Sequence, residues 1–422
     1  MKHKPSKRTA CKGVAAAGKE NLPSARPLLA LLSQILVAYT VELDNAFEHR
    51  MGLAGYPGAL LSLVMWSNLM RFLVDGEISV RDLAAQALAP DEDIKLELGC
   101  LERWGFVMLQ PDVGDERPIS RRVHRLKGRL LRDGCGSGRG IRSGWRVCLT
   151  EKGQKAAEIW RSLVPEIEDR WSARFGHDQL DGLRQALAAV AAQFDLQLPE
   201  GVPLQWNATP SYPKASGPRT IPELLPVLLS QLLLVLTIEF NSDSRCPLWL
   251  CANTLRVLEP APVRLSDIVR LSGASRASGD IGWQVRPFVI VETDQGTKRG
   301  KVARLSPLGL EAMESYRARV RQIENRCQAR FGREVFQAIR SGLLNLFEAR
   351  RDDRLLLSEG LIPAEGTMRA GAQAPALGRR DIGPAARQRM RDLVAQTELF
   401  VMDPAGALPH YPLWDMNRGF GP

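Results

Sequence analysis

Apolar residues follow one another almost without interruption in two stretches of the chain, residues 27–41 and 224–238. A helix that is apolar on nearly every side is buried between other elements, so both stretches predict interior helices, the first running from Pro27 to about Phe47. The sequence that follows predicts, in order, three helices, two strands and two closing helices. These elements are expected at residues 60–73, 80–89, 91–104, 106–109, 144–149, 150–175 and 178–194.

The chain contains a second, diverged copy of this pattern. Leu31–Leu43 returns as Leu228–Phe240 with 7 of 13 positions identical, and Val147–Gly176 returns as Ala303–Gly332 with 13 of 30 identical. A repeat of this length is a domain rather than a unit of a solenoid, whose periods run roughly 20–50 residues. The order of helices, turn and strands is that of a winged helix-turn-helix. We therefore expect a mainly α fold with small β wings, in which two tandem winged-helix domains form an intramolecular pseudo-dimer.

Composition shifts place the domain boundaries around these repeats. The length of 422 residues fits two domains and additional segments. We predict a basic disordered tail, a first winged-helix repeat with a long Arg-rich wing, a Pro-rich linker, a second winged-helix repeat, and a C-terminal tail rich in Gly, Pro and Ala. Their expected bounds are 1–25, 26–198, 199–222, 223–358 and 359–422.

The net charge of +10 is concentrated in two places. Residues 117–146 hold ten Lys or Arg and one acid, which gives +9, and the first twenty residues give +5, so the remainder carries −4. A nearly neutral body with one strongly basic loop indicates a protein that meets a polyanion at that loop. A solvated loop that is merely Arg-rich is the alternative.

Cellular location follows from weaker signals. Seven cysteines lack metal-binding spacing, and an odd number of them fits a reducing cytoplasm. The N-terminus lacks the apolar core of a signal peptide, and the two apolar windows are too short to span a bilayer. We therefore expect a cytoplasmic protein without a membrane partner, a metal or another cofactor. The absence of a nucleophile–base pair or a nucleotide loop argues against an enzyme.

Residues 101–107, Leu-Glu-Arg-Trp-Gly-Phe-Val, precede the basic wing, and residues 149–153, Leu-Thr-Glu-Lys-Gly, follow it. This arrangement resembles the MarR family of bacterial transcription regulators. The second copy keeps a weaker version in residues 283–289 and 305–309, with Pro287 where the first has Gly105. The resemblance implies a regulator that binds double-stranded DNA, acts as a pseudo-dimer or a homodimer, and binds a small aromatic effector.

Basic and small polar residues on the predicted readers and wings are the candidate DNA contacts. The first recognition helix is acidic, which is unfavourable beside phosphates. It therefore either contacts bases directly or only supports its wing. The second helix opens with small polar and basic residues, which suit contacts to phosphates and bases. The candidate DNA-binding residues are Lys95, Arg103, Arg121, Arg122, Arg125, Lys127, Arg129, Arg132, Ser275, Arg276, Ser278, Lys298, Arg299 and Lys301.

Two pairs of charged residues recur at matching places in the apolar helices. A buried charge must be paired, so Glu42 is predicted to meet Arg71, and Glu239 to meet Arg256, as structural ion pairs. Two functions stay open. The chain is either a DNA-binding transcriptional regulator or a winged-helix scaffold for protein interactions without sequence-specific DNA binding.

Overall fold

The computed structural model describes residues 26–111, 140–202, 212–215, 221–259, 261–273, 285–294, 300–372 and 384–412. Within them the protein is mainly helical with small antiparallel sheets, which confirms that part of the predicted fold class. The elements of the first half are α1 (Leu28–Leu53), α2 (Leu63–Asn68), a 3-10 turn (Met70–Leu73), β1 (Ile78–Ser79), α3 (Val80–Ala87), α4 (Asp91–Arg103), β2 (Val107–Gln110), β3 (Arg146–Leu149), α5 (Glu151–Phe175) and α6 (His177–Ala191).

The second half repeats this order and then adds elements of its own. Its elements are α7 (Leu225–Asn241), a π-helical segment (Leu250–Leu255) continuing into α8 (Arg256–Leu258), β4 (Val263–Arg264), α9 (Leu265–Ser272), a 3-10 turn (Arg286–Phe288), β5 (Val289–Thr293), β6 (Lys301–Leu305), α10 (Pro307–Phe331) and α11 (Arg333–Glu348). The additions are the hairpin β7 (Arg350–Arg351) and β8 (Arg354–Leu355), then α12 (Leu356–Leu361), α13 (Pro384–Met402) and α14 (Pro404–Ala407).

The two three-stranded sheets have the same topology and register. Strand order is β1-β3-β2 in the first and β4-β6-β5 in the second, with all neighbours antiparallel. Val107 pairs with Leu149, and the equivalent Val289 pairs with Leu305. A one-residue slip would turn every side chain to the opposite face, so an identical register means that equivalent positions face the same side of each sheet.

Helix α1 forms the centre of the core. It runs six residues beyond its predicted end, to Leu53, and residues at almost all of its positions are buried. It packs against α5 of its own half and against α7 and α11 of the other half. Of the described helices it is the one whose length and composition would allow it to cross a membrane. That is weak evidence, because its most apolar window is entirely buried and a core helix meets the same criteria.

The polar residues in the second half of α1 are covered by the segment that follows α11. Arg369 is 1% exposed and its guanidinium lies 3.2 Å from Glu48 Oε2 and 3.7 Å from Asp44 Oδ2. Asn45 donates to the carbonyl of Leu361. Two carboxylates share one guanidinium here, and burial raises the pKa of Asp44 to about 7. The added elements of the second half therefore complete the core of the first.

The halves meet through reciprocal contacts. The N–H of Leu28, at the start of α1, donates to Glu324 of α10, and the N–H of Leu225, at the start of α7, donates to Glu168 of α5. Glu168 and Glu324 are equivalent positions of the repeat, and each also forms an ion pair with an arginine of the following helix. In an isologous two-fold interface, residue i contacts j and j contacts i. The two halves thus make equivalent contacts to each other at the starts of α1 and α7.

Candidate nucleic-acid interface

Each sheet ends in a hairpin whose base is fixed in the protein. In the first half, Trp145 is buried and its carbonyl accepts the N–H of Val80, which anchors the strand that returns from residues 112–139. In the second half the N–H of Asp294 donates to the carbonyl of Gly300, which closes the hairpin around residues 295–299. Residues 112–139 and 295–299, which hold most of the predicted wing cations, are therefore joined to equivalent strand pairs.

In each half, the hairpin leads into the long helix through a helix cap that involves a glycine. Thr150 caps α5 by accepting the N–H of Gly153, and its hydroxyl donates to the carbonyl of Gly105 at 2.6 Å. Ser306 caps α10 in the same way, accepting from Gly309 and donating to the carbonyl of Pro287 at 2.8 Å. The recurring Leu-Thr/Ser-x-x-Gly element is thus a structural joint, and Pro287 replaces Gly105 without loss of the contact, because only its carbonyl is used.

Eleven of the fourteen candidate DNA-binding residues lie outside the described residues. The three that are described are Lys95, Arg103 and Lys301. Arg103 lies exposed at the end of α4, and Lys301 lies exposed in β6. Lys95 is mostly covered, and its ammonium lies 3.1 Å from Glu92 and 3.7 Å from Asp91. Lys95 and Arg103 share one helix at a spacing of two turns, while Lys301 belongs to the other half.

The acids of α4 separate into buried and exposed groups. Glu97 is 1% exposed, its Oε2 has no hydrogen-bond partner among the described residues, and burial followed by the charge of Asp93 raises its pKa well above the ordinary value. Burial of Glu97 therefore favours the protonated form of its carboxyl group. Glu92 and Asp93 remain exposed in the first turn, where negative charge is stabilised by the helix dipole. These two carboxylates repel phosphates, so they oppose contact between the first turn of α4 and a DNA backbone.

The predicted Glu42–Arg71 ion pair is wrong. Glu42 is buried and accepts hydrogen bonds at 2.7 Å from both Nη atoms of Arg174 and at 2.8 Å from Trp171 Nε1. Arg71 instead lies 3.1 Å from Glu200. The reason is that α1 packs along α5, so the partner of a buried carboxylate on α1 comes from the long helix.

The predicted Glu239–Arg256 pair is also wrong, for the same reason. Glu239 of α7 lies 2.6 Å from Arg326 of the long helix α10. Arg256 donates through Nε to the carbonyl of Ala252 in its own helical segment. Glu42 and Glu239 are equivalent, but the Glu239–Arg326 pair is at the surface, with side chains 32% and 61% exposed.

Two segments that were not among the candidate site residues, here called the arms, contact both halves. Arm one is residues 198–202 and arm two is residues 408–412. Gln231 of α7 donates to the carbonyl of Pro199, and Gln34 of α1 donates to the carbonyl of Leu408. Each arm is also held by an asparagine of the half that it follows, arm one by Asn68 and arm two by Asn253. Each arm thus lies between its own half and the other one.

A signal for the arms is present in the sequence. Ser33-Gln34 recurs unchanged as Ser230-Gln231, and both serines also donate to an arm. Residues 198–206, Leu-Pro-Glu-Gly-Val-Pro-Leu-Gln-Trp, resemble residues 408–414, Leu-Pro-His-Tyr-Pro-Leu-Trp. A Ser-Gln pair that recurs within an apolar helix, together with a recurring Leu-Pro segment, indicates that this pair contacts this segment in both halves.

None of the protein-family models, curated proteins and solved structures compared with the chain matches it. What the protein does has to be inferred from its own residues.

Proposed function

We propose that the protein is a DNA-binding transcriptional regulator of the MarR type. Two tandem winged-helix repeats form an intramolecular pseudo-dimer that contacts double-stranded DNA through its recognition helices and basic wings. The observation that carries the proposal is the pairing of the two halves. Both attach a two-stranded hairpin to a short helix and a long helix in the same register, and one hairpin holds the segment of charge +9.

The reciprocal packing supports a specific kind of binding site. Two-fold related readers contact half-sites about 34 Å apart, one turn of the double helix. Because the two halves differ in sequence and in wing length, their half-sites should differ as well. The expected operator is an imperfect palindrome. Binding to the half-site that meets the longer wing should depend more strongly on salt concentration than binding to the other half-site.

The first wing is expected to supply most of the affinity. Arginines on a loop follow the backbone or enter a narrow minor groove. Each phosphate contact that is lost makes the plot of log affinity against log salt less steep by about 0.9. The double variant Arg121→Gln/Arg122→Gln should therefore bind more weakly and reduce this slope by about 1.8.

The chain offers a matched control for this test. Arg350 and Arg351 are also adjacent and exposed, and Arg350→Gln/Arg351→Gln changes the net charge by the same amount. Fluorescence anisotropy with a labelled duplex at several salt concentrations measures both variants. Equal losses in the two double variants would mean that net charge alone, and not the wing, determines DNA binding.

A scaffold that has lost base reading is the second candidate. The observation that favours it is the acidic first turn of α4, where Lys95 is bound by Asp91 and Glu92. Selection of bound duplexes from a random pool separates the two functions. Enrichment of one sequence supports the regulator, whereas binding without enrichment that disappears at high salt supports the scaffold.

A further inference from the structure

The two arms are held alike but differ in charge. In arm one, Glu200 lies 3.1 Å from Arg71, so a carboxylate ties the arm to the 3-10 turn after α2. Arg256 is the equivalent of Arg71 in the second half. Arm two contains no carboxylate and has Pro409-His410 where arm one has Glu200. The arginine is thus kept in both halves, while its acidic partner is present in only one.

Arg256 is left with an unused hydrogen-bond donor. Its Nε donates to the carbonyl of Ala252 at 2.9 Å, but its Nη2 is enclosed and has no partner within the described part of the chain. A buried donor without an acceptor costs about 1–3 kcal/mol, and more when it is charged. The side chain as a whole is half-buried, so part of it faces solvent.

Two further basic side chains lie beside Arg256. Asn253, one turn earlier, exchanges two hydrogen bonds with the backbone of Tyr411 at 2.8 and 3.0 Å, which places His410 next to α8. Arg26 donates to Gln34 at 3.0 Å, and Gln34 donates to the carbonyl of Leu408. Arm two thus holds His410 close to the helical segment that carries Arg256, and Gln34 links Arg26 to the same arm.

The charges that act on His410 are positive. Burial, then Arg256 and Arg26, hold the pKa of His410 well below its usual range. Glu348 and Asp403 act on Arg26, whereas the titratable groups that act on Arg256 are Tyr316 and Arg26. A half-buried cation beside another cation is stabilised by an anion.

We propose that Arg256, with His410 and Arg26, binds a small carboxylate anion. The ligand takes the place that the Glu200 side chain has in the other half, bridging Arg256 and arm two. A carboxylate is the chemical class indicated, because a single carboxylate occupies the equivalent site and suits the planar guanidinium. The bound anion would hold arm two against both repeats, independently of any DNA contact.

Thermal unfolding of the full chain tests the site, with sodium acetate as the probe. At equal pH and ionic strength, acetate should raise the unfolding midpoint by about 2 °C relative to chloride. Sodium phosphate is the comparison for a different anion class. A rise in phosphate that exceeds the rise in acetate would overturn the carboxylate assignment, and equal midpoints in all three salts would overturn the site.

Three variants localise the effect. Arg256→Gln should remove the response to acetate, whereas its matched control, Arg71→Gln, should keep it because the second site is intact. His410→Glu supplies an internal carboxylate, so it should raise the midpoint in chloride and abolish the response to acetate. This variant keeps the test decisive if Arg256→Gln does not fold. A His410→Glu protein that is less stable and still responds to acetate contradicts the proposal.

Discussion

Glu42 and Glu239 occupy equivalent positions, but their surroundings give them different energetic weight. Glu42 is buried against Arg174 and Trp171. In Glu42→Gln the guanidinium of Arg174 stays largely buried, but its hydrogen-bond acceptor is a neutral amide instead of a carboxylate. Breaking a buried pair typically costs about 3–5 kcal/mol, but Glu359, 3.6 Å from Arg174, keeps part of the attraction. We expect a loss of about 2 kcal/mol in the free energy of unfolding, measured by urea denaturation.

The equivalent change in the second half is the control. Glu239→Gln removes a pair in which both side chains are substantially exposed, and such pairs contribute about 0–1 kcal/mol. The two variants differ chiefly in burial. Similar losses for both would mean that the partner of Glu42 in solution is a solvent-exposed group and not Arg174.

Asp44 should make stability depend on pH in an unusual direction. Burial raises its pKa to about 7 from 3.8 in an unfolded chain, despite the opposing charge of Arg369. Between these values the folded protein holds a proton that the unfolded chain has released, so stability falls as the pH rises. The contribution is fully present below about pH 4 and lost by about pH 7, at most about 4 kcal/mol.

The variant Asp44→Asn isolates this effect from that of other carboxylates. An amide resembles the protonated acid and does not titrate, so the difference in unfolding free energy between the natural protein and the variant should change between about pH 4 and 8. Urea denaturation across this range measures it. A difference that stays constant would show that Asp44 is ionised in the folded state and paired with Arg369.

At the scale of elements, the joint between hairpin and long helix explains the recurring glycine. A methyl group on Gly153 would overlap the backbone carbonyl oxygen of Phe106, and one on Gly309 would overlap that of Phe288. Since a backbone atom cannot move aside cheaply, Gly153→Ala should lower the free energy of unfolding by about 2 kcal/mol or more. It should also displace the wing from α5 and weaken DNA binding.

Gly182 provides the opposite case within a neighbouring helix. It lies exposed in α6, and a methyl group added to it would have no other atom within 4 Å. Gly182→Ala should therefore raise stability by about 0.5–1 kcal/mol through helix propensity. Thermal or urea unfolding measures both changes. A neutral Gly153→Ala would mean that the helix start shifts to accommodate the methyl group.

Elements whose pattern is local were predictable from the sequence. The predicted ends of α4 and α5 lie within a residue or two of those observed. Helix caps and apolar spacing determine these ends, and the residues involved are close in sequence to the ends themselves. The continuation of α1 to Leu53 was not predictable in this way. Its polar residues are buried by Arg369 and Leu361, more than 300 positions later in the sequence, and no local pattern reports such a contact.

The candidate site was predictable only in part. Repetition located the strand pair of each hairpin, whereas the Arg-rich residues 112–139 lie outside the described residues. The ion pairs of Glu42 and Glu239 were assigned to the wrong helix. Two positions that recur together need not touch each other, since each can contact a third repeated element. The arms illustrate the same limit, because Gln34 and Gln231 are satisfied by the segment that follows the opposite repeat.

At the scale of the molecule, the reciprocal contacts imply that neither half is stable alone. Helix α1 is buried almost throughout, and part of that burial comes from α7 and α11 of the other half. Removing one half would expose a long apolar helix, which in water favours aggregation. The halves should therefore unfold together, in one transition.

Co-expression of the halves as separate chains, residues 1–211 and 212–422, tests this dependence on packing. With an affinity tag on one chain, the other should be recovered in equal amount, because helix packing and the arms hold the repeats together without the peptide link. The pair Glu168→Ala/Glu324→Ala removes the reciprocal contacts at the starts of α1 and α7, and should lower recovery. The matched pair Glu151→Ala/Glu311→Ala, exposed on the same two long helices, should not. Purification of the tagged half alone as a folded monomer would mean that the linker, and not the interface, keeps the two repeats together.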